Sequence, residues 1–435
     1  MKLLNLPKYV CILFVCLMSF VSLAQSWQTL NVNTFGWRFE DMLFVDTEIG
    51  WVVDGGGQIL KTIDGGLTWN QQYYNSNQYF RSVEFYGENI GFAGTLANGN
   101  PNATLLKTIN GGQTWTDITS TLPVNIPGIC GMHMTNENTI FITGTFYSSA
   151  YIMKSIDQGS TWTYTNMGNL CNALVDIYFK DENIGYAAGQ SAQGTGLRGI
   201  IVRTADGGQT WNTVTIGNDS NERIWKIQEI NDSIMYASVE AFTSTPEYYK
   251  SIDGGLTWQL NSVTSAGVEG TIQGIGFLNE DIGWVGGYNT FFYETTNQGS
   301  SWEYKPSVGT SFNRFQRVND TLMYTSGTNV YKYVDSSLLS IEEFEINKPK
   351  GHSISIKGSN IIKDNAVIKL NLINNTYCEI SIYNSSGQRV QVVTQDRKKV
   401  GEHEISWNAS ALASGNYFVV LYTYHGYESI KVVVD

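Results

Sequence analysis

Cysteine is scarce and unevenly placed. Of five, Cys11 and Cys16 fall in the first two dozen residues, and Cys130, Cys171 and Cys378 remain, an odd number over two regions. Disulfides are therefore not expected to hold the fold, and spacing alone leaves open whether Cys130 and Cys171 pair. Histidine is scarcer still: His133, His352, His403 and His425 offer no ligand spacing, so neither a metal nor a cofactor is expected. Positive charge is short as well. Residues 25–344 carry 15 Lys and Arg against 31 Asp and Glu, a net of −16, while residues 345–435 come to +2. So acidic a stretch does not neutralise phosphates, which excludes nucleic acid as a partner. Finally, no long apolar run follows residue 24. The run Tyr9–Val21, after Lys2 and Lys8 and before Ser22-Leu23-Ala24, has 13 residues, against the roughly 20 that a bilayer needs. It reads as a signal peptide over 1–24, with no membrane span once it is cleaved. Phe14 and Val15 before Cys16 exclude a lipobox.

Repetition is what the chain has in plenty. KTIDGGLTW ends at Trp69, KTINGGQTW at Trp115, KSIDQGSTW at Trp162, RTADGGQTW at Trp211, KSIDGGLTW at Trp258 and ETTNQGSSW at Trp302. The tryptophans are 46, 47, 49, 47 and 44 residues apart. A period in the forties with short strands and glycine turns predicts a β-propeller of four-stranded blades. In each box the carboxylate or amide of Asp64, Asn110, Asp157, Asp206, Asp253 or Asn297 is suited to accept backbone N–H bonds while a glycine takes positive φ, closing a hairpin between third and fourth strands. The tryptophan is then placed to pack back across the turn. Burying 150–250 Å² of indole is worth roughly 4–6 kcal/mol gross per blade.

Upstream of each box runs a string such as IGWVV from Ile49 or IGYAAG from Ile184, alternating as a strand packed on both faces does. Innermost strands such as RSVEF ending at Phe85 and QGIGF ending at Phe277 come before it. A seventh unit from Arg314 stops after NVYKYV with no box, whereas Ser26-Trp27-Gln28-Thr29-Leu30 reads as a fourth strand with no blade before it. Pairing of these two chain ends is expected to close the ring. After a linker over 339–350, new strands such as EISIYNSSGQRV from Glu379, GEHEISW ending at Trp407 and LASGNYFVVLY from Leu412 predict a small sandwich. The expected fold is all-β: a seven-bladed β-propeller over 25–338 and an immunoglobulin-like β-sandwich over 351–435.

The boxes match the Asp-box, or bacterial neuraminidase repeat, pattern at Thr62, Asp64, Gly66 and Trp69 and at Ser251, Asp253, Gly255 and Trp258. With the preceding IGW strings, residues 26–334 resemble the propellers of photosystem II assembly factors. The strand–Gly–Arg turn at Gly387-Gln388-Arg389, the strand ending in Trp407 and the Leu412–Tyr417 segment resemble the type A C-terminal sorting domain of the type IX secretion system. That resemblance implies the secretion machinery as partner, export across an outer membrane, removal of the tail, and a secreted or surface location.

Function is expected at the inner strands and loops. Aligning the strand ends gives the ring Glu40, Arg81, Cys130, Val175, Lys226, Gln273 and Arg314. Assembly factors are associated with a basic patch in this region, which Arg81, Lys226 and Arg314 echo; Trp37, Phe80, Trp225 and Phe315 are neighbouring aromatics suited to a sugar or peptide, or to packing between blades. No catalytic residue is assigned. The expected role is a non-catalytic recognition or scaffolding module with an unknown glycan or protein ligand. The alternative is a xyloglucanase-like or sialidase-like hydrolase using paired carboxylates, for which Glu40, Asp41, Asp54, Asp176 and Glu269 are the candidate acids.

Overall fold

The computed structural model describes residues 27–335 and 352–435, apart from 34, 98–101, 145–149, 193–197, 218–221, 242–244, 265–270, 290, 306–307, 374, 385–388 and 424–425. The expected signal peptide and linker lie outside these residues.

Seven four-stranded antiparallel sheets follow one another along the chain. In the first blade, Phe39–Phe44 is innermost, followed outward by Gly50–Asp54, Gln58–Thr62 and Asn70–Tyr74. The seventh blade takes three strands from Phe315–Asn319, Leu322–Ser326 and Val330–Val334, and its outer strand is Trp27–Thr29, with Trp27 opposite Tyr333. The ring closes as expected from the two incomplete ends. Trp27 also meets Trp284 and Phe315 edge-on, at 5.1 and 5.9 Å between ring centroids, so the closing strand is packed as well as paired.

The hydrophobic cores lie between blades, and they explain the IGW strings. Trp51 on the second strand of blade one stacks on Phe85 of the next blade's inner strand at 3.6 Å. The box tryptophan of that next blade, Trp115, meets the same phenyl edge-on at 5.8 Å. Phe141 on Phe179, Tyr236 on Phe277 and, across the closure, Tyr324 on Phe44 repeat the stack at 3.7 Å each. A glycine makes room for each of these four phenyl rings: a Cβ on Gly50 would lie 2.5 Å from the Phe44 ring, and Gly91, Gly185 and Gly283 face Phe85, Phe179 and Phe277 in the same way. A side chain there would push the phenyl out of its stack.

The boxes carry a second tie. Thr62 Oγ1 accepts the Gly66 N–H at 2.8 Å, Asp64 Oδ1 accepts the Thr68 N–H at 2.9 Å, and the Trp69 indole donates to the Gly66 carbonyl at 3.1 Å. Gly65 takes φ +67°, the left-handed turn that the box requires, and Gln158 and Gln298 take it in the third and sixth boxes. A lysine on the third strand of a blade reaches the next blade's box. Lys61 donates to the Gly111 carbonyl at 3.0 Å, Lys107 to that of Gln158 at 2.7 Å, Lys154 to that of Gly207 at 2.9 Å and Lys332 to that of Gly65 at 3.2 Å. On the way, Lys61 lies 4.7 Å over the Trp51 ring, a cation–π contact with the stack just described.

The tail pairs a three-stranded sheet with a five-stranded one that starts at Ile361–Ile362 and ends at Arg389–Lys398. Between them lies one core of Ile368, Leu370, Ile380, Ile382, Trp407, Val419 and Leu421. It is a β-sandwich, as expected. Cys130, Cys171 and Cys378 are all buried free thiols; burial pushes the thiols of Cys130 and Cys378 up to about 11 and that of Cys171 to about 12, so none is a thiolate at neutral pH.

Candidate functional site in the channel and at its mouth

In an antiparallel four-stranded blade the boxes share one face of the disc with the turns between first and second strands. The other face carries the entry to each inner strand and the loop between second and third strands. The channel opens there.

Strand pairing corrects the sequence alignment at two blades. Phe44 pairs with Gly50 and Phe85 with Gly91, and the residues in the same place are Glu229, opposite Met235, and Arg317, opposite Met323. Blades five and seven thus lack the aromatic that marks the strand end, and the apolar Ile230 and Val318 one residue later were the misleading markers. The first ring is Glu40, Arg81, Cys130, Val175, Trp225, Gln273 and Asn313. Lys226 and Arg314 belong one residue deeper, beside Asp41 and Asp176.

The first ring plugs the channel. The Glu40 carboxylate accepts from Arg81 at 2.5 Å, from Arg38 at 2.6 Å and from the Tyr79 hydroxyl at 2.6 Å. Burial alone would raise its pKa, but the Arg81 and Arg38 guanidiniums hold it below the usual carboxylate range. The Arg81 guanidinium lies 5.0 Å over the Trp225 ring, a contact from blade two to blade five across the axis. The Trp225 indole donates to Asn313 Oδ1 at 2.6 Å, and the Asn313 amide donates to the Glu40 carbonyl. Cys130, Val175 and Trp225 complete the plug as an apolar cluster.

The second ring is a salt-bridge network. Arg314 joins Asp41 at 2.8 Å and Asp176 at 3.0 Å, with Lys226 3.5 Å from Asp176. Each aspartate also ties the next blade: Asp41 accepts the Val83 N–H at 3.2 Å and Asp176 the Ile227 N–H at 2.9 Å. Burial and the neighbouring Arg314 bring the Lys226 ammonium down to about 8. Below, Glu84 accepts the Met134 N–H at 3.2 Å, and burial lifts its carboxyl to about 8.

Above the plug, Arg38 donates to Gln273 at 2.6 Å, Gln273 to Glu240 at 2.6 Å and to the Tyr288 hydroxyl at 3.1 Å, and Arg223 pairs with Glu240 at 3.3 Å. Gln273 stands in the expected ring; its partners Glu240 and Tyr288 were missed in the sequence because they come from neighbouring strands and loops that no repeat marks.

Of the expected binding residues, the fold brings Arg81, Lys226, Arg314 and Trp225 together inside the channel. Phe80 is fully buried between blades, edge-on to Tyr73 at 5.8 Å, and Phe315 packs beneath Trp27. Trp37 stands apart on the rim, half exposed. Among the candidate acids, Glu40, Asp41 and Asp176 sit in the ion pairs above. Asp54 caps a turn, accepting the Gly56 and Gln58 N–H groups at 2.9 Å each. Glu269 lies outside the described residues.

Two family profiles match the chain. The photosynthesis system II assembly factor YCF48 profile covers residues 20–130, and the secretion system C-terminal sorting domain profile covers residues 360–435. No curated protein matches. Among solved structures, YCF48 bound to D1 peptide is similar at 18% identity and TM-score 0.54, over 71% of this chain and 96% of that one. PorZ, a surface component of the type IX secretion system of Porphyromonas gingivalis, is similar at 13% identity and TM-score 0.51, over 92% of this chain and 59% of its own. A GH74 xyloglucanase from Xanthomonas campestris is similar at 9% identity and TM-score 0.52, over 91% of this chain and 65% of that one. At these identities the solved structures share the fold. The chain thus joins a β-propeller similar to the photosystem II assembly factors to a C-terminal domain of the secretion-sorting kind, which directs it through type IX secretion to the cell surface or beyond.

Proposed function

We propose that the propeller is a non-catalytic recognition module, delivered by its tail and binding its ligand on the loop face around the channel mouth. The observation that carries this reading is how the ionisable groups are spent. Glycoside hydrolysis needs one carboxyl held protonated and another free to act as base or nucleophile, about 5–10 Å apart across an open cleft. Here Glu40, Asp41 and Asp176 are each engaged by guanidinium groups in a plugged channel, and Asp54 is committed to its turn. On the same face the aromatic side chains of Phe35, Trp37 and Tyr74 are exposed. That the similar YCF48 propeller is seen with a peptide fits a recognition role for this fold.

The test is a hydrolysis screen of the full chain against soluble polysaccharides and glycopeptides. No release of reducing ends is expected. Release that disappears in Asp176→Asn or Asp54→Asn would make the protein a hydrolase.

A further inference from the structure

One turn on the loop face is set among aromatic side chains. Asp54–Gln58 joins the second and third strands of blade one by way of Gly55, Gly56 and Gly57, and aromatic side chains surround it. The Trp37 ring lies against the turn itself: a Cβ on Gly56 would stand 2.5 Å from its Cδ1 atom, and one on Gly55 would stand 2.7 Å from the Tyr79 ring. Trp37 meets Tyr79 edge-on at 6.2 Å, and Phe35 meets Tyr74 at 5.5 Å. The Asn75 N–H donates to the Gly57 carbonyl at 2.9 Å, which holds the end of the Tyr74 strand to the same turn. Phe35, Trp37 and Tyr74 are 51%, 49% and 50% exposed. Single exposed aromatics are ordinary, but three on one glycine turn form a patch. The indole is braced by backbone on one side and open on the other, so it is a preorganised flat surface and not a loose side chain.

The chemistry around the patch selects among ligands. Residues 31–37, Asn-Val-Asn-Thr-Phe-Gly-Trp, and 74–79, Tyr-Asn-Ser-Asn-Gln-Tyr, contain no ionisable group other than tyrosine. Arg38, the nearest cation, gives Nε and Nη2 to Glu40 and Nη1 to Gln273, and Arg223 is paired with Glu240. Both of these guanidinium groups are therefore spent within the protein, and neither is left for an acidic peptide or a sialylated sugar. Amides and hydroxyls remain, and the buried Gln78 Oε1 accepts no hydrogen bond among the described residues. Flat aromatic faces bordered by uncharged donors and acceptors suit the apolar face and the hydroxyl edge of a pyranose.

We infer that Trp37, with Phe35 and Tyr74, forms a stacking site for a neutral polysaccharide. This rests on the recognition reading and names its ligand class. The experiment is affinity electrophoresis of the full chain through gels containing β-glucan, xylan or galactomannan, with polygalacturonate as the charged comparison. At least one neutral polymer should retard the protein and polygalacturonate should not. Trp37→Ala should weaken retardation about tenfold or more, the equivalent of one lost stacking contact. Gly56→Ala, which displaces the indole without removing it, should do the same, and Tyr304→Ala, exposed on the sixth blade, should not.

Retardation that survives both Trp37→Ala and Gly56→Ala, or no retardation by any neutral polymer, overturns the assignment. If no neutral polymer binds while capture of a peptide from an array is lost in Trp37→Ala, the ligand class is wrong and the recognition reading stands. Reducing ends released in an Asp176-dependent way would instead remove the recognition reading itself.

Discussion

The two faces of the propeller are built on different principles. On the box face one solution recurs from box to box: a Ser or Thr, an Asp or Asn and a left-handed residue make the turn and a tryptophan follows it, and from five blades a lysine reaches the next turn. On the loop face the described turns follow no such common pattern, and the glycine turn set against Trp37 and Tyr79 belongs to blade one. The contrast separates two demands on the same strands. Closing a ring needs the same interface each time, so its residues repeat; presenting a ligand site needs one unlike surface, so its residues do not.

The sharpest way to break this comparison is to open the ring. Deleting residues 26–32 removes the strand opposite Val330–Val334 and the edge-on packing of Trp27 with Trp284 and Phe315. Losing most of an indole's burial costs at least about 3 kcal/mol, so thermal unfolding should fall on the order of 10 °C. An unchanged midpoint would mean that the closure carries no stability.

Next in size, Phe85→Ala takes the ring from between Trp51 and Trp115 and should cost about 3–5 kcal/mol in urea unfolding. Trp37→Ala on the opposite face should stay within about 0.5 kcal/mol. Equal losses would erase the distinction between the faces.

The smallest effect concerns Glu84. Its counterparts in blades five and seven are glutamines that clasp the next inner strand with both ends of the amide: Gln228 accepts from the Phe277 N–H and donates to its carbonyl, and Gln316 does so with Phe44. Glu84 can only accept unless it is protonated, and burial raises it to about 8 in the folded chain. An acid raised on folding contributes stability that is complete below its unfolded value near 4.5 and is lost as pH climbs through the folded one. Glu84→Gln should flatten the decline between pH 5 and 9 and add on the order of 1 kcal/mol at pH 9. Parallel pH profiles for the two proteins would disprove it.

What was legible in the sequence follows the same divide. The boxes could be read because turn chemistry is local: Thr62, Asp64, Gly66 and Trp69 satisfy one another within eight residues. The glycine of IGW could be placed in a strand but not explained, since the phenyl it accommodates arrives from the neighbouring strand and is stacked on by the preceding blade. Lys226 and Arg314 were set one residue too shallow because Glu229 and Arg317 stand where Phe44, Phe85, Phe179 and Phe277 close four of the other inner strands. Trp37 was legible as a rim aromatic from its place just before an inner strand. Its setting on Gly55 and Gly56 was not, nor were Arg38, Tyr79, Gln273 and Glu240 as one network, because their contacts cross blades that are distant in sequence.

The pairing of Trp27 with Tyr333 joins positions about 300 residues apart. A chain that emerges from the ribosome in order must keep its first strand waiting while six blades form, and no local contact can stand in for the missing partner. The apolar face of Trp27 is therefore unsatisfied for nearly the whole of synthesis, an adhesive edge that a chaperone must mask or a second nascent chain can capture. Exchange of this strand between two molecules would give a domain-swapped dimer with every blade intact.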